Sequence, residues 1–511
     1  MSGDKRLVWA CGVAVVALVL WAAQGVWADP AHLVWGDRAD TVHHVWGHWW
    51  MAQAGAEGGV TQWVSIPDGE HGSVLTPLGN LLVRPALWLG GAVFAYNLLS
   101  VLYLLFDAGA VGLLAARISG RRDAGAVAAL VVVVARPVLL HVLLGNTEGA
   151  AIGWVALVAW LGLGWARAED RSAKLGPVVG LLAGIAVIEN PYALPILVVF
   201  APALAVRRVL RGRGWPLQIL GAAVGGAVVP VFRLWQVGDG LGGNLVLAQT
   251  MEWAGLLWPV YDPDWHVPGW QLVWPWPRMS WQPRTLDTFR AGGFAFLGFG
   301  GVALGLVGAG LRWKRALPWL GVALLFALLG LGSRPLGVDG PPGPFLFMDS
   351  VIAQVLPALT QPVRFFAFAV GALAVAAGVG AAELARKPWV LPVVTGALVL
   401  EGLLIGGPSM RSPTLDLRGL DCLSAVDGPV HTVLPSELGD ESSNGRALLL
   451  QLEHQQPGTH RGIGGWPQVT PNDARPLAER GVEWVLIPQP DAGPITCGGW
   501  SALPLEDWEG P

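Results

Sequence analysis

The sequence predicts an α-helical polytopic membrane protein with about eleven transmembrane helices and a small extracytoplasmic α/β domain at its C-terminal end. Three observations carry that prediction. Hydrophobic residues fill 53% of the 511 positions and charged residues 13%, and the mean hydropathy is +0.52, far from the balance of a soluble domain. Apolar runs recur that are long enough to cross about 30 Å of hydrocarbon at about 1.5 Å per residue. Lysine and arginine fall in alternate joints between those runs.

The predicted spans cover residues 7–28, 92–116, 124–144, 150–166, 175–189, 192–206, 216–236, 292–311, 317–333, 364–385 and 388–407. Seventy glycines and 39 prolines fit a bilayer bundle, where small residues let helices approach and neighbours satisfy backbone that proline leaves open. The pair of short spans around Glu189, Asn190 and Pro191 also reads as a re-entrant hairpin or as one broken helix.

One set of joints carries Lys5, Arg6, Arg117, Arg121, Arg122, Arg167, Arg171, Lys174, Arg207, Arg208, Arg211, Arg213, Arg312, Lys314, Arg315, Arg386 and Lys387. The opposite set holds the long segments 29–91, 237–291, 334–363 and 408–511. The positive-inside bias therefore predicts a cytoplasmic N-terminus and an outer C-terminus, which an odd number of spans satisfies. Lys5 and Arg6 before an apolar run, with Val26-Trp27-Ala28 beyond, also resemble a cleaved signal; an uncleaved anchor is the preferred reading, because the run is long enough to span.

Net charge is −4, and no basic tail or RNA-type motif points to nucleic acid. Cys11 lies in the first apolar run. Cys422 and Cys497 lie in the polar C-terminal segment, where a disulfide is chemically allowed if that segment is extracytoplasmic, two free thiols being the alternative. The segment 237–291 holds Trp253, Trp258, Trp265, Trp270, Trp274, Trp276 and Trp281. It reads as an interfacial belt, or as a wall for stacking sugar or lipid. Short apolar runs such as Gly481–Ile487 among turns suggest a small α/β unit over 408–511.

Candidate chemistry concentrates after the first span, in Trp35 to Trp50. A helix over residues 40–54 would put Asp40, His44 and His48 at i, i+4 and i+8, with His43 beside them. The other face carries Val42, Val45, Trp46, Trp49 and Trp50, which suits a helix lying on the outer membrane surface. A carboxylate there can take a proton from an attacking hydroxyl. Imidazoles one turn apart can share a divalent cation such as Mg or Mn with Asp40, or bind diphosphate oxygens when protonated. The bland alternative is an interfacial helix with its polar residues turned to water.

Further candidates sit at outer span ends. Glu148, in Gly145–Gly149, is a second acid or metal partner unless it is a solvated turn residue; Glu189 and Asn190 are similar. Arg364, at the start of a span, suits a phosphate or diphosphate, against ordinary snorkelling. Arg136 and Arg233 should face the bundle interior. Asp262 and Asp264 read as an Asp-Pro turn before they read as an acid-x-acid metal motif.

The order of parts, with the Asp40–Trp50 stretch, Tyr96-Asn97, Glu148, Pro362–Arg364 and the region of Gln451, His454 and Gly481–Ile487, resembles the GT-C superfamily of membrane glycosyltransferases, and within it a group of bacterial membrane proteins. The resemblance implies transfer of a sugar from a polyprenyl-phosphate-linked donor to an extracytoplasmic acceptor, at the bacterial cytoplasmic membrane. It implies that Asp40 is the base or a metal partner, with Asp37 able to replace it, and that Glu148 is the second-loop acid. A three-histidine stripe is not a general feature of that superfamily. The competing readings are a polytopic transporter or lipid-carrier flippase, and a non-catalytic envelope-assembly protein.

Overall fold

The structure is a computed structural model, and it describes residues 3–36, 39–54, 60–61, 70–71, 76–143, 147, 151–167, 175–197, 200, 297–332, 343–345, 362–387, 389–403, 414–433, 450–452, 454–456, 474–489, 492–497 and 499–508. The predicted span 216–236, most of 192–206, the Trp-rich segment, Arg233, Asp262, Asp264, Asp37 and Glu148 lie outside the described residues.

The helices and first strands are α1 (Gly3–Ala22), β1 (Leu33–Trp35), α2 (Ala39–Ala54), β2 (Val60–Thr61), β3 (Glu70–His71), α3 (Pro77–Ser119), α4 (Arg122–Val134), α5 (Arg136–Leu143), α6 (Gly153–Arg167), α7 (Leu175–Glu189), α8 (Phe299–Gly330), α9 (Phe365–Leu384) and α10 (Val390–Glu401). β4 (Thr414–Asp416), β5 (Val430–Thr432), α11 (Ala474–Glu479), β6 (Trp484–Ile487), β7 (Ile495–Cys497) and β8 (Trp500–Pro504) follow. Among the described residues, four helical stretches are long and apolar enough to cross a membrane: Lys5–Ala22, Leu78–Ser119, Phe299–Gly330 and Pro362–Leu384.

Three breaks have local causes. Ala135 is extended (ψ 120°) between α4 and α5, because the ring of Pro137 would meet the carbonyl of Val133 in a continuous helix. Arg312 is non-helical inside α8. A Cβ on Gly308 would lie 3.2 Å from that of Ala316, and one on Gly305 would lie 3.0 Å from the Leu320 side chain, so the chain doubles back at Arg312 as the basic joint predicts. The third break corrects the expectation of loop up to residue 91. Pro77–Leu89 is helical, and it turns into Ala92–Ser119 at Gly90 and Gly91 (φ +71°). The left-handed Gly91 is a conformation that only glycine adopts freely. A Cβ on Gly79 would press on the Leu99 side chain at 3.1 Å, so this first arm runs back along the second.

α9 sits at the centre, packed by α8, α4 and α3. Its sequence is apolar all round, and nearly every residue is buried, as a helix without a polar face must be. Small residues bring α8 close: a Cβ on Gly308 would stand 2.8 Å from the Ala376 carbonyl oxygen.

The acids of the bundle cap helices across it. Glu189, at the end of α7, accepts from the N–H groups of Leu78 (2.6 Å) and Gly79 (3.1 Å) and from the Tyr103 hydroxyl. Asp107 accepts from Gly153 N–H at 2.6 Å. Glu401 accepts from Phe299 (2.6 Å) and Gly300 (2.8 Å). Each satisfies orphan donors and favourable dipole ends of another helix.

The joints sort into two ends. Arg315 donates to the Ser119 carbonyl at 3.1 Å, and Arg312 and Arg386 both bind Glu383 at 2.7 and 2.6 Å, which gathers three basic joints. At the other end, β1 pairs antiparallel with β4, Leu33 opposite Asp416, so the segments after α1 and α10 share one face. Beyond β4, a four-stranded sheet runs in the order β5-β6-β8-β7, with β5 and β6 parallel and the other pairs antiparallel. Its own small core holds Leu477, Val485, Ile487 and Leu503. Cys422 is disulfide-bonded to Cys497 on β7, with Cα atoms 6.2 Å apart.

Candidate active site

The site is built on α2, and α2 is held by the chain around it. Asn97 on α3 accepts from Trp35 N–H at 2.9 Å and donates to the carbonyls of Leu33 (2.8 Å) and Pro30 (3.1 Å). The strand entering the site therefore has β4 on one edge and a buried amide on the other. Gly36 (φ +111°) then turns the chain, and the periodicity over 40–54 is realised as Ala39–Ala54.

The apolar face of α2 is covered by protein rather than laid on lipid. Val42, Val45, Trp46, Trp49 and Trp50 are all buried. Trp46 stacks on Trp50 at 6.1 Å and donates its indole N–H to Gln451 Oε1 at 2.7 Å. Gln451 in turn donates to the Gln456 carbonyl at 2.8 Å. A segment some four hundred residues away thus closes over the helix, which corrects the expectation of a surface helix.

The polar face is also buried. His44 and His48 are 4% and 2% exposed, which sets aside the alternative of polar residues turned to water. Both rings stand over Tyr96 of α3, with centroids 6.5 and 6.4 Å away. His44 Nδ1 is 3.0 Å from Thr147 Oγ1. Burial, with His44 beside it, pushes the His48 imidazole down to about 3. His48 is therefore neutral at neutral pH and is not a cationic partner for diphosphate. Tyr96 reaches the Val142 carbonyl at 3.4 Å, tying in the end of α5.

Asp40 lies on α2 one turn before His44; its side chain and that of His43 lie outside the described residues. The His44–Thr147 contact brings the joint that carries Glu148 to within one residue of the stripe. Thr147 was not singled out in the sequence, although it adjoins Glu148. Arg364 sits in a 3-10 turn before α9 and lies over the Tyr192 ring at 5.3 Å. Glu189 and Asn190 are fully buried, Glu189 as a cap and Asn190 accepting from Tyr192 N–H at 3.1 Å. Arg136 is buried, as expected.

Among the described residues, no three His, Cys, Asp or Glu side chains gather in a way that would hold a cation. His44 and His48 supply two nitrogens, while the side chains of Asp37, Asp40, His43 and Glu148 lie outside the described residues. The metal set of Asp40, His44 and His48 therefore falls partly on side chains outside those described.

No family model matches the sequence, and no curated protein matches it. Solved structures do match. The oligosaccharyltransferase of Archaeoglobus fulgidus in its apo form superposes with a TM-score of 0.54 at 11% identity, over 94% of this chain and 69% of that one. The same organism's oligosaccharyltransferase AglB, in complex with an inhibitory peptide and a dolichol-phosphate, gives 0.51 at 11% identity, over 95% and 70%. The arabinofuranosyltransferase AftD from Mycobacteria gives 0.52 at 12% identity, over 96% of this chain and 36% of that one. At these identities the likeness concerns the fold: the chain has the fold of the GT-C membrane glycosyltransferases.

Proposed function

We propose that the protein is a glycosyltransferase of the bacterial cytoplasmic membrane, moving a sugar from a polyprenyl-phosphate-linked donor to an acceptor outside the cytosol. The observation that carries this reading is the buried stripe of α2, held against Tyr96 and Thr147 in a fold shared with an oligosaccharyltransferase captured with dolichol-phosphate.

In this reading the bundle has about eleven spans, the basic joints face the cytosol, and residues 408–511 form an extracytoplasmic domain. The Cys422–Cys497 bond supports that side, since disulfides persist in oxidising compartments. The lipid carrier enters from the bilayer. Asp40 takes the proton of the acceptor hydroxyl as its oxygen attacks the anomeric carbon, and the bond to the lipid phosphate breaks with its electron pair staying on the phosphate. The Arg364 guanidinium meets that charge. Neutral His48, with His44 one turn before it, holds the α2 face, Glu148 is the second acid, and Asp37 is the neighbour able to replace Asp40.

The test is sugar transfer in proteoliposomes carrying a panel of polyprenyl-phosphate sugars. Asp40→Asn should lower turnover about 10²- to 10⁴-fold, the usual worth of a general base, with insertion and thermal stability unchanged. Wild-type turnover in that variant removes Asp40 from the mechanism.

A further inference from the structure

A cavity of about 310 Å³ opens beside α2, lined by Ala31, His32, Trp49, Gly90, Gly91 and Gln455 among others. It joins three segments far apart in sequence: the chain before β1, the glycine turn of α3, and the segment that Gln451 ties to Trp46. Its size is that of a small-molecule site. Two of its walls are unusual backbone. Gln455 is one of two described non-glycine residues with positive φ (+52°), a conformation that costs free energy and tends to be kept where a side chain must be aimed. Opposite it, Gly91 (φ +71°) presents bare peptide, and a Cβ there would meet nothing within 4 Å.

The turn holding Gln455 is built rather than loose. Gln455 N–H donates to the Gln451 carbonyl at 2.9 Å, and Gln456 N–H donates to Nδ1 of the buried His454 at 3.1 Å. These bonds leave the Gln455 amide exposed at the cavity. His32 stands at the wall with its Nδ1 on Asp29 Oδ1 at 2.9 Å.

We propose that this cavity is a carbohydrate subsite, taking a sugar unit of the acceptor chain away from the reacting one. The lining chemistry selects that class. Ala31, Val93, Leu452 and the exposed edge of Trp49 offer an apolar side to the C–H groups of a pyranose or furanose, while the Gln455 amide, the His32 imidazole and glycine peptide groups serve hydroxyls. A hydrocarbon chain would desolvate those polar groups without replacing their hydrogen bonds. Among the described lining residues a phosphate would find no lysine or arginine, and it would meet the Asp29 carboxylate behind His32. Trp49 follows Asp40 by nine residues on α2, about 13 Å along the axis, so a sugar held here sits apart from the carbon under attack. The acceptor assignment rests on the transferase reading above; the binding of sugar does not.

The test is saturation-transfer NMR on the full chain in nanodiscs, using a panel of glucose, mannose, galactose and arabinose di- and trisaccharides. At least one member should bind. Gln455→Gly, which removes the amide and fits a positive φ without strain, should weaken it about fivefold, the worth of one hydrogen bond of about 1 kcal/mol. Gln455→Asn, which tolerates the same backbone and keeps an amide, should restore most of the loss. Absence of binding across the panel, or binding unchanged in Gln455→Gly, overturns the subsite even if Asp40-dependent turnover is intact. Binding that persists while Asp40→Asn turns over normally overturns the reaction and leaves the subsite standing.

Discussion

Buried ionisable groups are used in opposite ways within the bundle and at the end of it that carries α2 and the C-terminal sheet. In the bundle, the buried Asp107 and Glu189 and the half-buried Glu401 are acids whose oxygens accept backbone N–H groups at the start of another helix. At the other end, His48 and His454 are buried imidazoles. His48 Nδ1 and His454 Nε2 are buried without a hydrogen-bond partner, and burial pushes both rings down to about 3. The acids hold helices together; the imidazoles are kept neutral in a closed polar layer. A buried polar group committed to a helix end is structural, whereas His48 Nδ1, one turn beyond the His44 that binds Thr147, is not committed in that way.

The contrast can be broken or sharpened by mutation. The largest effect should come from Asp40→Asn, about 10²-fold or more in turnover with no change in folding. Removing the disulfide by Cys422→Ser should cost about 4 kcal/mol, because the bridge closes a loop 75 residues long; the loss should appear as thermal melting of the C-terminal sheet with the bundle intact. Glu189→Ala should cost about 3 kcal/mol, since it strips the capping bonds of Leu78, Gly79 and Tyr103 at once. Its turnover per folded molecule should stay near wild type, and a loss of turnover at full stability would contradict the capping role.

A smaller effect is expected from pH. His48 and His454 have folded values near 3, below the ordinary histidine value of about 6.5, so the folded state excludes a proton that the unfolded state binds. The stability they contribute is complete above about pH 6.5 and is lost as pH falls from there towards 3, at up to about 1.4 kcal/mol per unit for each ring. His454→Gln should flatten the melting profile between pH 6 and 4; an unchanged slope would show that His454 protonates freely in the fold. The smallest effect should be Trp46→Phe, about 1 kcal/mol, by removing the indole N–H bond to Gln451 Oε1. Faster hydrogen exchange confined to the Gln451–Gln456 amides would report it.

Much of this was legible in the sequence. The α2 helix followed from its periodicity, and the gathering of the Arg312–Arg315 and Arg386 joints at one end followed from the charge alternation. The helical arm Pro77–Leu89 was not, because Gly79, Arg84 and Pro85 resemble a loop and its capping acid lies 111 residues away. Glu189 was read as a functional charge for the same reason: its partners are backbone groups, which no side-chain pattern marks. The burial of His44 and His48 depends on Tyr96 and Thr147 and on a lid anchored at Gln451, contacts that only the tertiary fold brings together. The positive φ of Gln455 left no trace in its neighbours.

The account turns on which side of the membrane the α2 face occupies, and paired cysteine labelling of intact cells decides it. Glu506→Cys, on the exposed turn after β8, and Lys314→Cys, in the joint of α8, are each treated with a membrane-impermeant maleimide, Cys11 being buried in the bundle. The account predicts that position 506 labels in intact cells and position 314 only after lysis. The reverse pattern would put the histidine-bearing helix in the cytosol and contradict sugar transfer on the outer side.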